Sequence, residues 1–184
     1  MVSLLNHESV ARMTTMDDYA ATPTDSERVL VITRIFKAPR TLVWRAFSDP
    51  FHLSQWWGPE GFTNPVCELD FRVGGRWRNV MRGPDGQAYP AEFTFLEITP
   101  PERIVFRNAE PDNAPVWQGN PPPSFVRTLT FDEDGPNRTV FTMRAEFASA
   151  AEFARAASRG FRQGSEESFD RLSRLLEQQV REAP

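Results

Sequence analysis

Cys67-Glu68-Leu69-Asp70-Phe71-Arg72-Val73, then Gly74-Gly75, then Trp77 to Arg82 and the tetrad Gly83-Pro84-Asp85-Gly86 together set the fold class. Cys67, Leu69, Phe71 and Val73 alternate with Glu68, Asp70 and Arg72. A period of two marks a strand with one face on a core. Gly74-Gly75 interrupts the alternation, and Trp77 to Arg82 resumes it as a second strand. Pro84 presets the first corner of a turn and Gly86 accepts positive φ, so the chain is expected to fold back here. Strands joined by turns this short form hairpins, and hairpins build an antiparallel sheet.

Downstream, Ala91 to Thr99 and Arg103 to Asn108 read as two more strands, split by Pro100-Pro101. Phe125 to Phe131 and Thr139 to Phe147 flank a further turn, Asp134-Gly135-Pro136-Asn137. Ser149 and Glu152 are spaced as a capping box, which predicts a helix start. The helical region reads to about Ser158, is loosened by Gly160 and Gly164, and continues to about Arg181. Phe161, Phe169, Leu172, Leu175, Leu176 and Val180 form its apolar stripe at a period near 3.6.

Upstream, Arg28 to Phe36 is a β-branched strand. Pro39 fits a first helical position, with Leu42, Val43, Ala46 and Phe47 on one face behind it. Asp49-Pro50 opens a second short helix running to about Gln55. About seven strands grouped between helices predict an α+β domain over 28–181, with the last helix lying across the sheet. Residues 1–27 are polar and small, with a short helix expected near Leu4 to Met13, and read as a flexible N-terminal extension.

The chain of 184 residues carries 15 Phe and 5 Trp, enough to bury a core, which excludes wholesale disorder. No apolar run approaches the length of a membrane span, and the first ten residues do not have the form of a secretory leader. The net charge of −4 speaks against a dedicated nucleic-acid binder. One cysteine, Cys67, makes no internal disulfide and fits a cytoplasmic protein. His7 and His52 are the only histidines, and no metal or cofactor site can be assembled around them.

Ala38-Pro39-Arg40-x-Leu42-Val43-Trp44, Asp49-Pro50 and Trp56-Trp57-Gly58-Pro59 resemble the activator-of-heat-shock-protein-90-ATPase homologue (AHSA-type) family of the START/Bet v-like SRPBCC superfamily. Gly74-Gly75-Arg76-Trp77, Met81-Arg82-Gly83-Pro84-Asp85-Gly86, Glu97-Ile98 and Pro101-Glu102-Arg103 continue the resemblance in order, over about Glu27 to Glu177. The resemblance implies a helix-grip fold, a curved antiparallel sheet wrapped around the C-terminal helix with an apolar cavity between them. It does not imply chaperone activation, because the additional regions and motifs of the co-chaperone are absent from this sequence. Members of the superfamily often self-associate, which leaves a homodimer open.

Three strands carry a polar residue on an otherwise apolar face. They are Trp77-x-Asn79-x-Met81, Phe93-x-Phe95-x-Glu97 and Phe125-x-Arg127-x-Leu129-x-Phe131. If those faces line the cavity, Asn79, Glu97 and Arg127 enter an apolar chamber, where an unpaired charge must find a partner or a polar ligand. Three readings follow: a satisfied ion pair or strand-end charges in solvent, orientation of a ligand, or Glu97 as a general base. Leu96 and Ile98 occupy the opposite face, so a bulge would turn Glu97 outward. Phe141 and Met143 of the last strand are further lining candidates.

Trp56-Trp57 reads either as packing at the open end of the sheet or, through Trp57, as cavity lining. On the long helix, Gly160, Gly164, Ser165 and Ser168 are small residues set between the lining candidates Phe161 and Phe169. They either leave room for a ligand or allow close backbone packing. Ala109 to Ser124 holds five prolines around Trp117 and reads as a lid or an oligomer contact.

The expected function is cytoplasmic binding of a small apolar or aromatic molecule between sheet and helix, without nucleic acid or membrane. Two alternatives stand beside it. One is a cyclase- or hydrolase-type enzyme using Glu97 with Asn79 or Arg127. The other is a chaperone or regulatory partner whose cavity is vestigial.

Overall fold

The computed structural model describes residues 27–108 and 123–182. Seven strands form one antiparallel sheet in the order β1-β7-β6-β5-β4-β3-β2. They are β1 (Val29–Phe36), β2 (Thr63–Leu69), β3 (Arg76–Arg82), β4 (Ala88–Thr99), β5 (Arg103–Asn108), β6 (Phe125–Glu133) and β7 (Thr139–Phe147). Two short helices, α1 (Arg40–Ser48) and α2 (Pro50–Trp56), separate β1 from β2, while α3 (Ala150–Ser158) and α4 (Phe161–Glu182) follow β7. Consecutive strands from β2 to β7 are all neighbours, so the sheet is a meander, and β1 closes it by pairing with β7. With α4 laid across this curved sheet, the architecture is the α+β helix-grip fold.

Local chemistry explains most of the boundaries. Asp49 caps α2 by accepting from the Phe51 amide at 2.8 Å, and Pro50 supplies the preset φ of a first helical residue. Ser149 Oγ accepts from the Glu152 amide at 3.1 Å, as a capping box requires. The Glu152 carboxylate does not close the box. It accepts from the Ser124 amide at 3.0 Å and so ties α3 to the start of β6. Pro39 stands one residue outside α1, at its N-cap, with ψ 145°. Gly160 adopts φ 74°, a conformation that stops α3, and the helical region therefore divides in two at this residue.

The alternation from Cys67 ends sooner than its pattern suggests. β2 stops at Leu69 because Asp70, Arg72 and Gly75 close a tight turn, with the Gly75 amide on the Arg72 carbonyl at 2.8 Å. Phe71 still packs inward against Trp44 and Phe95, but Val73 is exposed.

The core lies between α4 and the concave face, and it is unevenly filled. From Phe169 toward the C-terminus of α4, Trp56, Phe47, Phe131, Phe141 and Phe169 meet ring to ring, with Leu172 and Leu176 buried behind them. The N-terminal half of α4 carries Gly164 and Ser165 instead, and there the packing opens. No helix among the described residues is long and apolar enough to cross a membrane.

Candidate functional site

A cavity of about 180 Å³ opens between the sheet and the first turns of α4. Its walls are Trp57, Met81, Phe93 and Phe125 on one side and Phe161, Ser165 and Phe169 on the other. An engineered apolar cavity of about 150 Å³ holds benzene, so the space suits one ring with a short substituent.

The loop Trp57-Gly58-Pro59 forms one wall, and its position is determined residue by residue. Trp56 points into the core and donates its indole N–H to the Ala46 carbonyl at 3.0 Å. Trp57 consequently faces the other way, its ring 4.5 Å from Trp77. Gly58 takes φ 97°, and a Cβ there would stand 2.9 Å from Met81 Sδ. Its amide donates to Ser168 Oγ at 3.1 Å. Pro59 reaches α4 where Gly164 has no side chain, so a Cβ on Gly164 would meet Pro59 Cγ at 3.3 Å. Gly164 thus admits a close contact, made with a loop and not with the sheet as close packing would have it, and it also lines the cavity.

Arg171 locks this loop. Its Nη1 donates to the carbonyls of Gly58 at 2.9 Å, Pro59 at 3.0 Å and Trp57 at 3.3 Å, and its Nη2 to that of Gln55 at 3.1 Å. These are the orphan carbonyls that a helix end and its exit loop leave over. Burial lowers the guanidinium's pKa, with Glu60 opposing that effect.

Arg127 is the unusual member of the site. Pairing across the sheet with Phe106 on β5 and Ala145 on β7 fixes its register, and the inward turn of the strand sends it into the cavity. It is 5 % exposed. The guanidinium carbon lies 5.0 Å from the Phe125 ring centroid, 5.1 Å from Phe161, 5.3 Å from Trp57 and 5.8 Å from Phe106. Among the described residues it meets no carboxylate and donates no hydrogen bond, and its Nε is buried without a partner. Four ring faces supply roughly 2 kcal/mol each at best when desolvated, which offsets a buried charge's penalty of several kcal/mol but leaves the N–H donors unserved. Burial pulls the pKa down to about 9, so the group remains charged at pH 7.

The other polar residues expected in the chamber are placed differently. Glu97 lies outside it. The ladder between β4 and β5 shifts register between Phe95 and Glu97, so the inward row passes from Phe95 to Ile98 while Glu97 pairs with Val105 on the outer face. The carboxylate is 45 % exposed and meets Arg103 Nε at 3.1 Å. On the other side of β4, Gly74 donates to the Phe95 carbonyl and Gly75 accepts from the Phe95 amide. A general-base role for Glu97 in the cavity is thereby corrected. Asn79 is buried but donates to Asn64 Oδ1 at 2.9 Å, and Asn64 in turn donates to the Ser54 and Trp57 carbonyls. It braces the Trp57 wall from behind.

Of the apolar candidates, Trp57, Met81, Phe93, Phe161 and Phe169 line the cavity together with Ser165 and Arg127. Trp77, Phe95, Leu129, Phe141 and Met143 are buried in the surrounding core and are not among the lining residues. Phe125, Asn108, Pro123 and Gly58 line it without having been singled out. Phe125 shares the inward row with Arg127 and was legible from that spacing; the roles of Asn108, Gly58 and Arg171 depend on contacts between distant segments. The expected N-terminal extension and most of the proline-rich segment, with Trp117, lie outside the described residues. No cluster of three metal-ligating side chains occurs among the described residues.

Residues 37–177 match the family model described as activator of Hsp90 ATPase homolog 1-like protein. No curated protein matches the chain. Among solved structures, a protein from Nitrosomonas europaea is 26% identical, with a TM-score of 0.74 over 85% of this chain and 99% of that one. A protein from Mycobacterium smegmatis is 28% identical, with a TM-score of 0.71 over 86% of this chain and 96% of that one. A protein called AHSA1 from Silicibacter pomeroyi, 23% identical with a TM-score of 0.65 over 82% of this chain and 99% of that one, shares the fold. With the helix-grip architecture and a family match over most of its length, the chain belongs to the family of activator of Hsp90 ATPase homolog 1-like proteins, within the SRPBCC superfamily.

Proposed function

We propose that this protein binds a small apolar or aromatic molecule in the space between its sheet and the N-terminal half of α4. One observation carries the proposal: an apolar cavity of about 180 Å³, walled by Trp57, Phe93, Phe125 and Phe161. A vestigial core would be filled at this place, and Gly164 with Ser165 leaves it open. The lone cysteine is consistent with a cytoplasmic setting.

Indole, neutral and of the right size, is the probe. Added to isotopically labelled protein, it is expected to shift the backbone amide resonances of Trp57, Gly58, Phe161 and Ser165 saturably. The variant Ser165→Phe, which fills the space, is expected to lose those shifts while remaining folded. Shifts that are absent, or equal in the folded variant, would overturn the proposal.

A further inference from the structure

We infer that the molecule held in this cavity is a monocarboxylate: one ring or a short branched chain bearing a single carboxylate that pairs with Arg127. The inference deepens the proposed function and rests on it. A guanidinium so deeply buried in a protein normally meets a carboxylate, and this one meets only rings: Trp57, Phe106, Phe125 and Phe161 surround its carbon within 6 Å. Its donors form a planar fork that matches the two oxygens of a carboxylate. None of those donors is engaged by a described residue, and the side chain lines the cavity.

The neighbouring polar groups do not compete for it. Glu92, at the rim, is engaged with Arg76 at 3.3 Å and Arg78 at 3.9 Å. Asn108 is occupied by the Pro123 carbonyl and the Phe125 amide. Ser168 is shared between Gly164 and Gly58. Ser165 has no hydrogen bond to a described residue and lines the same space, so its hydroxyl can donate to the second carboxylate oxygen.

Charge and size narrow the class. Among the lining residues Arg127 is the buried cation, whereas Arg159 is exposed. A single buried guanidinium matches one negative charge better than the roughly −1.5 to −2 of a phosphate monoester at pH 7. The volume suits a ring with a short substituent.

The test compares 4-ethylbenzoate with 4-ethylbenzamide, a neutral molecule of nearly the same shape, by titration calorimetry. Wild type is expected to bind the benzoate at least about tenfold more tightly, the scale of one charge-assisted pair. Arg127→Met, which keeps an unbranched side chain of similar reach, is expected to bind both equally. Arg127→Lys is expected to keep part of the preference, because it keeps the charge without the fork; thermal unfolding of each variant establishes that it is folded. Equal affinities in wild type, or a preference that survives Arg127→Met, would overturn the inference and leave cavity binding standing. Failure of both molecules to bind wild type would overturn cavity binding, and this inference with it.

Discussion

The guanidinium carbon of Arg127 stands 5.3 Å from the ring centroid of Trp57, although the two residues reach the cavity from unrelated parts of the chain. Strand pairing fixes Arg127, and the α2 exit loop fixes Trp57. A charge held this way is costly to the fold.

Arg127→Met is expected to raise stability by about 1–4 kcal/mol, as replacement of other buried charges by apolar side chains does. Below about pH 9 the guanidinium is charged in the folded and unfolded chain alike, so the full penalty stands. Above about pH 9 the folded guanidinium loses its proton while the unfolded one, with its ordinary higher pKa, keeps it, so wild type gains stability relative to the variant as pH rises. Urea unfolding of both proteins at increasing pH should show the gap narrowing. A variant less stable than wild type at pH 7 would contradict a binding role.

Arg171→Ala should cost about 2–3 kcal/mol, because it leaves the carbonyls of Gln55, Trp57, Gly58 and Pro59 without their charged donor. Weaker indole binding and a red shift of tryptophan emission are expected with it. Unchanged emission would separate Arg171 from the Trp57 wall.

Gly58→Ala meets two obstacles of unequal weight. The Met81 sulfur, 2.9 Å from the new Cβ, belongs to a flexible side chain that can move. The backbone at φ 97° cannot relax without shifting the loop, so a loss of about 1–3 kcal/mol is expected in thermal unfolding. A loss below about 0.5 kcal/mol would show that the loop accommodates it.

Glu97→Gln should change stability by less than about 1 kcal/mol, the usual contribution of an exposed ion pair such as that with Arg103. Indole binding should be unaltered. A large loss of binding would return Glu97 to the cavity.

Most of the fold was legible because it is encoded locally. The caps at Asp49 and Ser149, the turn at Gly83 to Gly86 and the alternation on β3, β6 and β7 each act within a few residues. The site was legible only where strands stay regular. Arg127 sits on an unbroken strand and points inward as its spacing indicates, whereas the irregularity at Leu96 inverts Glu97, and nothing in the residues of β4 alone locates that break. Asn79 shows a different limit: it is buried beside the cavity without lining it, because its partner Asn64 lies across a hairpin. Arg171 was missed because its polar spacing on α4 resembles any solvated face until the loop it holds is in place.

The most direct measurement is a crystal structure of the protein with 4-ethylbenzoate bound. The expected result places the ring among Phe93, Phe125 and Phe161, with carboxylate oxygens at roughly 2.7–3.2 Å from the Arg127 nitrogens. A ligand bound outside the cavity, or one inside it whose carboxylate points away from Arg127 toward the rim, would contradict the assignment of Arg127 as the anion's partner.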